Sequence, residues 1–218
     1  MPQSKTTAIF DLDGTLIQHS SAERTFFFYL LRSGGLSSLA VLQMLGALWN
    51  AKGNFHGMVR GNKRYLRNKR VAMLEEVARN YFEQRAATMI FPTVRTILEE
   101  HRSRGDLLLL LSGTLDVIAA CFARTLNLDG YRAATLEVRA HRYTGRITGT
   151  LPYGMGKLEV LRELRSRFGF DSDSTTLYAN SYSDRYVMNA IQTPVAVNPD
   201  PRLRSYARKR GWKVVDTK

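Results

Sequence analysis

Leu107-Leu108-Leu109-Leu110-Leu111, five consecutive leucines closed by Ser112-Gly113-Thr114, constrains this chain more than any other stretch. A β-strand points successive side chains to opposite faces, so an unbroken apolar run requires burial on both sides. A sheet covered by helices on both faces provides that environment. Three further short β-prone runs share the pattern: Thr7-Ala8-Ile9-Phe10, Thr175-Thr176-Leu177-Tyr178-Ala179 and Pro194-Val195-Ala196-Val197. Amphipathic helical patterns separate the later ones, at Leu115 to Leu126, Lys157 to Phe168, Asp184 to Ile191 and Arg202 to Arg210. The alternation predicts an α/β fold with a parallel sheet and helices on both faces. Ligands of such sheets gather at the carboxyl ends of the strands.

Ser20 to Ala87 follows a different grammar, rich in helix formers and without a clear strand. It reads as a helical insertion immediately after the first strand. The predicted organisation is therefore a core from 1–18 and 88–218, with a helical cap over 19–87. Between Thr135 and Thr150, Leu136-Glu137-Val138 and Tyr143-Thr144-Gly145-Arg146-Ile147-Thr148-Gly149 predict a β-hairpin with glycine turns.

Chemistry-bearing residues stand just after the apolar runs. Asp11 and Asp13 share a side of an extended chain, and Gly14 permits a sharp turn that brings backbone N–H groups toward an anion. Two such carboxylates can hold Mg²⁺, a hard cation that prefers oxygen. One can attack phosphorus while the other protonates a leaving oxygen. Ser112 offers a hydroxyl and neighbouring amides, Lys157 an ammonium after Gly154-Met155-Gly156, and Asn180 and Asp184 oxygen ligands at i and i+4. Singly, these are equally an N-cap, a solvated lysine and a first-turn acid. Their shared placement after strands carries the argument.

In this arrangement the chain resembles the haloacid dehalogenase superfamily, in its phosphoserine-phosphatase-like branch, subfamily IB. Asp11-Leu12-Asp13-Gly14-Thr15 matches the first motif, Leu111-Ser112-Gly113-Thr114 the second and Gly156-Lys157 the third, and Asn180-Ser181-Tyr182-Ser183-Asp184 stands at the fourth. The resemblance implies a Rossmann-like core with an inserted helical cap and a Mg²⁺-dependent phosphomonoesterase working through an aspartyl-phosphate. Asp11 would be the nucleophile, and Asp13 the acid and base whose backbone carbonyl binds the metal. Ser112, Gly113 and Thr114, with Gly14 and Thr15, would surround phosphate, and Lys157 would neutralise charge. Asn180 would ligate Mg²⁺, and Asp184 would complete or orient that shell. Many members carry Asp where this chain has Asn180, so a weaker hold on Mg²⁺ is expected.

The sequence carries 32 Lys and Arg against 19 Asp and Glu, a net charge of +13. That balance favours an anionic partner: a phosphorylated small molecule, an anionic lipid surface or nucleic acid. The motifs favour the first two, and no nucleic acid is expected. In the cap, Arg60, Lys63, Arg64, Arg67, Lys69 and Arg70 read as a solvated basic face or as a surface attracting an anionic substrate, with Arg60 a candidate substrate contact. Beside them, the apolar Leu36 to Trp49 suits an interfacial hairpin. No secretory pattern is present, so the expected location is cytoplasmic, with contact to an anionic membrane left open. Two rival readings remain: a basic binding module without catalysis, and a phosphotransferase using the same covalent step. Cys121 excludes an intramolecular disulfide and reads as a buried packing thiol. His101 and His141 read as surface or hydrogen-bonding residues.

Overall fold

A computed structural model describes residues 6–18, 21–35 and 63–217. Its centre is a seven-stranded sheet in the order β4-β3-β2-β1-β5-β6-β7. The strands are β1 (Thr7–Phe10), β2 (Leu107–Leu115), β3 (Gly130–Arg139), β4 (Arg142–Thr148), β5 (Thr175–Ala179), β6 (Thr193–Val197) and β7 (Lys213–Val215). All neighbours pair in parallel except β3 and β4. The helices are α1 (Ala22–Arg32), α2 (Val71–Phe82), α3 (Ala86–Met89), α4 (Pro92–Ser103), α5 (Asp116–Thr125), α6 (Gly156–Phe168), α7 (Arg185–Met188) and α8 (Pro201–Arg210).

The leucine run does what its pattern requires. Leu108 and Leu110 enter one core with Ala8, Phe10 and Tyr178, covered by α1, α2, α4 and α5. Leu107, Leu109 and Leu111 enter a second core with Ile9, Leu177 and Ala196, covered by α6, α7 and α8. Each fully buried leucine contributes on the order of 1.5–3 kcal/mol, so the central strand anchors both layers. The central register pairs Phe10 with Leu110 on one side and with Tyr178 on the other, which aligns the strand ends.

The chain leaves the sheet and returns to it at one place. Gln18 N–H donates to the Met89 carbonyl at 2.8 Å, and Phe91 N–H to the Leu16 carbonyl at 3.1 Å. Between these points α2 packs on α5. Arg60 and the apolar hairpin expected at Leu36 to Trp49 lie outside the described residues.

Three expectations need correction. The hairpin turns at Ala140-His141, both at positive φ (46° and 60°), and not at a glycine. Gly145 lies inside β4, where an added Cβ would meet backbone atoms of Lys63 and Arg64 at 3.1 Å. The helix expected over Asp184 to Ile191 is only Arg185–Met188, because a 3₁₀ turn at Tyr182–Asp184 comes first. Over its described residues, 63–70, the basic run forms one 3₁₀ turn, Arg64–Leu66; Arg64, Arg67 and Arg70 are exposed, but Lys63 is buried. No helix among the described residues is long and apolar enough to cross a membrane.

Candidate active site

The ends of β1, β2 and β5 meet at one cavity of about 300 Å³. Asp11, Asp13, Ser112, Gly113, Thr114, Lys157, Asn180 and Asp184 all line it, although they span most of the chain. Gly14 lies against Asn180, and Thr15 is fully buried, so neither lines the wall. Arg60 is outside the described residues.

Asp11 is placed by the sheet, since its N–H donates to the Tyr178 carbonyl at 2.9 Å. Lys157, in the first turn of α6, reaches across to it. Its Nζ lies 2.7 Å from Asp11 Oδ1 and 2.9 Å from Asp184 Oδ1. All three residues are buried, so two carboxylates share one ammonium where water screens little. Burial disfavours the charged lysine, but Asp11 and Asp184 outweigh it and hold Lys157 above its ordinary value. Burial also raises the Asp11 carboxyl, against the pull of Lys157 and with the Asp184 charge adding to the rise.

Asp13 meets a different partner. Its Oδ1 accepts the Ala22 N–H at the start of α1, at 2.7 Å. A helix N-terminus offers unpaired N–H groups, so this bond fixes the carboxyl and caps the helix together. Burial pushes Asp13 up to about 7, opposed by the Ala22 bond and helped by Asp11 and Glu23. A carboxyl that keeps its proton near neutrality can donate it.

Ser112 is not the helix cap its sequence suggested. β2 continues through Ser112-Gly113-Thr114 with a register shift, and α5 begins only at Asp116. Ser112 Oγ accepts the Thr114 N–H at 3.3 Å. The Thr114 hydroxyl is buried and meets no hydrogen-bond partner among the described residues. Opposite, Leu151, Pro152 and Tyr153 form the wall, and a Cβ on Gly113 would approach the Pro152 carbonyl to 3.2 Å.

Asp11, Asp184 and Asn180 bring carboxylate and amide oxygens to the cavity, the donor type a hard divalent cation prefers. Among the described residues no group of three His, Cys, Asp or Glu has metal-holding geometry. Gly14 makes room for the Asn180 amide. Its φ is +73°, and an added Cβ would stand 2.2 Å from Asn180 Nδ2.

Sequence reasoning undervalued three cavity residues, Ser21, Glu23 and Asp200. Ser21 caps α1, accepting the Arg24 N–H at 3.2 Å. Asp200 accepts N–H groups from Tyr182 at 2.7 Å and Leu203 at 2.8 Å, tying the β5 and β6 ends together. Asp200 stands just after the Pro194 to Val197 run, a signal that could have found it, whereas nothing local marks Ser21 or Glu23.

The haloacid dehalogenase-like hydrolase model matches residues 8–189. The chain belongs to that family. A phosphoserine phosphatase of Mycobacterium tuberculosis is 33% identical over 220 residues, covering 96% of this chain and 70% of the relative. A histidinol-phosphatase of Neisseria meningitidis is 26% identical, covering 98% of this chain and all of that protein (100%). The solved structure of a protein with unknown function from Bordetella pertussis superposes with a TM-score of 0.83 at 24% identity, covering 99% and 100% of the two chains. Within the family the chain is phosphoserine-phosphatase-like, an enzyme of the phosphatase class on the α/β core described above.

Proposed function

We propose that this hydrolase cleaves phosphomonoesters through a phosphorylated Asp11, with Mg²⁺ held by Asp11, the Asp13 carbonyl and Asn180. The observation that carries the reading is the Lys157 ammonium seated between Asp11 and Asp184 in a cavity also lined by Asp13 and Ser112.

Asp11 attacks phosphorus, a P–O bond to the aspartyl oxygen forms, and the P–O bond to the alcohol breaks. Asp13 gives its proton to the departing alkoxide. Water then attacks the same phosphorus and gives a proton to Asp13, and the bond to Asp11 breaks, leaving inorganic phosphate. Lys157 holds the Asp11 carboxylate in place and offsets phosphoryl charge through both steps. The Ser112 and Thr114 hydroxyls and the Gly113 amide offer donors for phosphate oxygens. Bound Mg²⁺ would supply positive charge for the phosphate oxygens. Asp184 acts by fixing Lys157.

The segment over 19–87 is proposed as a cap over this mouth; the entry and return of the chain side by side at Gln18 and Met89 supports it. The relatives' names support a phosphorylated small molecule as substrate.

The test is hydrolysis of an aryl phosphate with Mg²⁺ by native protein and by Asp11→Asn. Native protein is expected to release phosphate and to form a hydroxylamine-labile phosphoryl adduct on Asp11, and the variant to do neither. Equal turnover by the variant refutes the covalent role.

A further inference from the structure

A second concave site lies away from the catalytic residues. Tyr182, Pro201, Arg202, Ser205, Tyr206 and Lys209 line a groove of about 470 Å³ between the 3₁₀ turn at Tyr182–Asp184 and α8. Its wall shares no residue with the catalytic cavity. The volume falls within the range of small-ligand sites, about 300–1,000 Å³.

Two rings in the groove are held in place by their own neighbours. Tyr182 and Tyr206 meet at 77° with centroids 5.8 Å apart, and Trp212 stands edge-on to Tyr206 at 5.3 Å. The Asn189 amide donates to the Tyr206 hydroxyl at 3.0 Å, and Arg210 donates to it at 3.1 Å. The Arg185 guanidinium lies 4.2 Å over the Tyr182 ring and donates to the Tyr182 carbonyl at 2.9 Å. Rings fixed in advance lower the ordering cost of binding. Their angle makes a corner in which a planar group meets one ring face-on and the other edge-on, both favoured aromatic geometries.

The charge in the groove is unmatched. Residues 202, 206 and 209 are four and three apart on α8, so Arg202 and Lys209 share a face with Tyr206 and flank it. Arg204 on the same helix pairs with Asp216, whereas Arg202 and Lys209 form no ion pair among the described residues. Arg202 also stands in the first turn of α8, the positive end of the helix dipole, where a cation is disfavoured. An anion in the groove would offset both costs. A bilayer fits this face poorly, because a membrane-surface helix offers an apolar face, and α8 turns Leu203 and Ala207 into the core.

We infer that this groove binds a free nucleotide, its base in the Tyr182–Tyr206 corner and its phosphates against Arg202 and Lys209. The inference stands apart from the phosphomonoesterase reading and survives or fails without it.

The experiment is calorimetric titration of the whole chain with ADP in EDTA, beside adenosine and pyrophosphate, which carry the ring and the charge separately. ADP is expected to bind at least about tenfold more tightly than either. The double variant Arg202→Gln/Lys209→Gln, and separately Tyr206→Leu, should each weaken ADP binding by about tenfold. Arg204→Gln, on the same helix but paired with Asp216, should leave it unchanged. No binding of ADP at millimolar concentration overturns the inference, as does ADP binding no tighter than pyrophosphate. Affinity unchanged in both groove variants places ADP elsewhere and overturns it too. Binding of phosphatidylglycerol vesicles or of a single-stranded oligonucleotide, without binding of ADP, assigns the face to another partner and equally overturns it. If Tyr206→Leu does not fold, the double charge variant, whose side chains are exposed, decides the matter.

Discussion

Gly14→Ala separates two roles of one glycine. The backbone at Gly14 has φ +73°, a region where an L-residue costs about 1–2 kcal/mol. The added methyl would also stand 2.2 Å from Asn180 Nδ2 and 3.1 Å from its Cγ, so the amide must swing away. Such overpacking costs about 1–3 kcal/mol, giving about 2–5 kcal/mol together. Gly169→Ala is the matched control: φ is +69° with nothing within 4 Å of the new atom, so only the backbone cost of about 1–2 kcal/mol applies. Asn180→Ala removes the obstruction, because the Asn180 Cβ stays 3.8 Å from the new methyl, an ordinary contact. Urea unfolding of the two single variants and the double variant then gives a coupling of about 1–3 kcal/mol. Activity of Gly14→Ala should fall further than its stability accounts for, with a raised Mg²⁺ requirement. A stability loss no greater than that of Gly169→Ala, or a coupling near zero, refutes the steric argument.

Lys157→Met removes the cation shared by two buried carboxylates; about 3–5 kcal/mol of stability should be lost in urea melts, and a loss below about 1 kcal/mol contradicts the buried pairing. The same variant should lose phosphatase activity by about a thousandfold, as removal of a charge-stabilising group does. Asn180→Asp adds one negative charge to the proposed cation site, so Mg²⁺ titration of activity should show about tenfold tighter apparent binding, and no tightening counts against Asn180 as a ligand. Burial pushes the Cys121 thiol up to about 11, leaving about 0.1% thiolate at pH 8. Iodoacetamide should therefore label Cys121 only after unfolding, and equal rates in buffer and in urea refute its burial. Because the folded state favours the neutral thiol, the stability this residue contributes should fade as pH rises past the ordinary thiol value.

The strands were legible because two-faced burial leaves no polar residue to blur a short apolar run, as at Leu107 to Leu111 and Thr175 to Ala179. The cavity residues were legible for a related reason: a parallel sheet aligns strand ends, so polar residues after each run are carried to one edge. Other features depended on contacts that periodicity cannot report. Ala140 and His141 adopt positive φ without being glycine, which hid the turn. β7 is three residues beginning with Lys213, too short to show a pattern. His101 was open to a surface reading, yet it is buried between Asp106 and the Tyr178 hydroxyl, each at 2.7 Å. Lys63 sits in a basic run that reads as solvent-facing, and its partner Glu23 lies 40 residues earlier. A long-range ion pair leaves no local signature.

The electrostatics of the cavity run opposite to those of the chain. The chain carries +13, which draws phosphate dianions from a distance. Among the described residues, however, five carboxylates line the cavity and would repel the same dianion at close range. Lys157 offsets one charge of the Asp11–Asp184 pair, Lys63 offsets Glu23, and backbone N–H groups stabilise Asp200 and Asp13 in place. What remains near the phosphoryl position is the charge of Asp11 and of Asp13 once ionised, and a divalent cation would balance it. An aspartate at 180 would hold that cation more firmly and would also restore repulsion toward the substrate. Asn180 relaxes both together, so cation affinity and substrate affinity should move in opposite directions when that amide is changed.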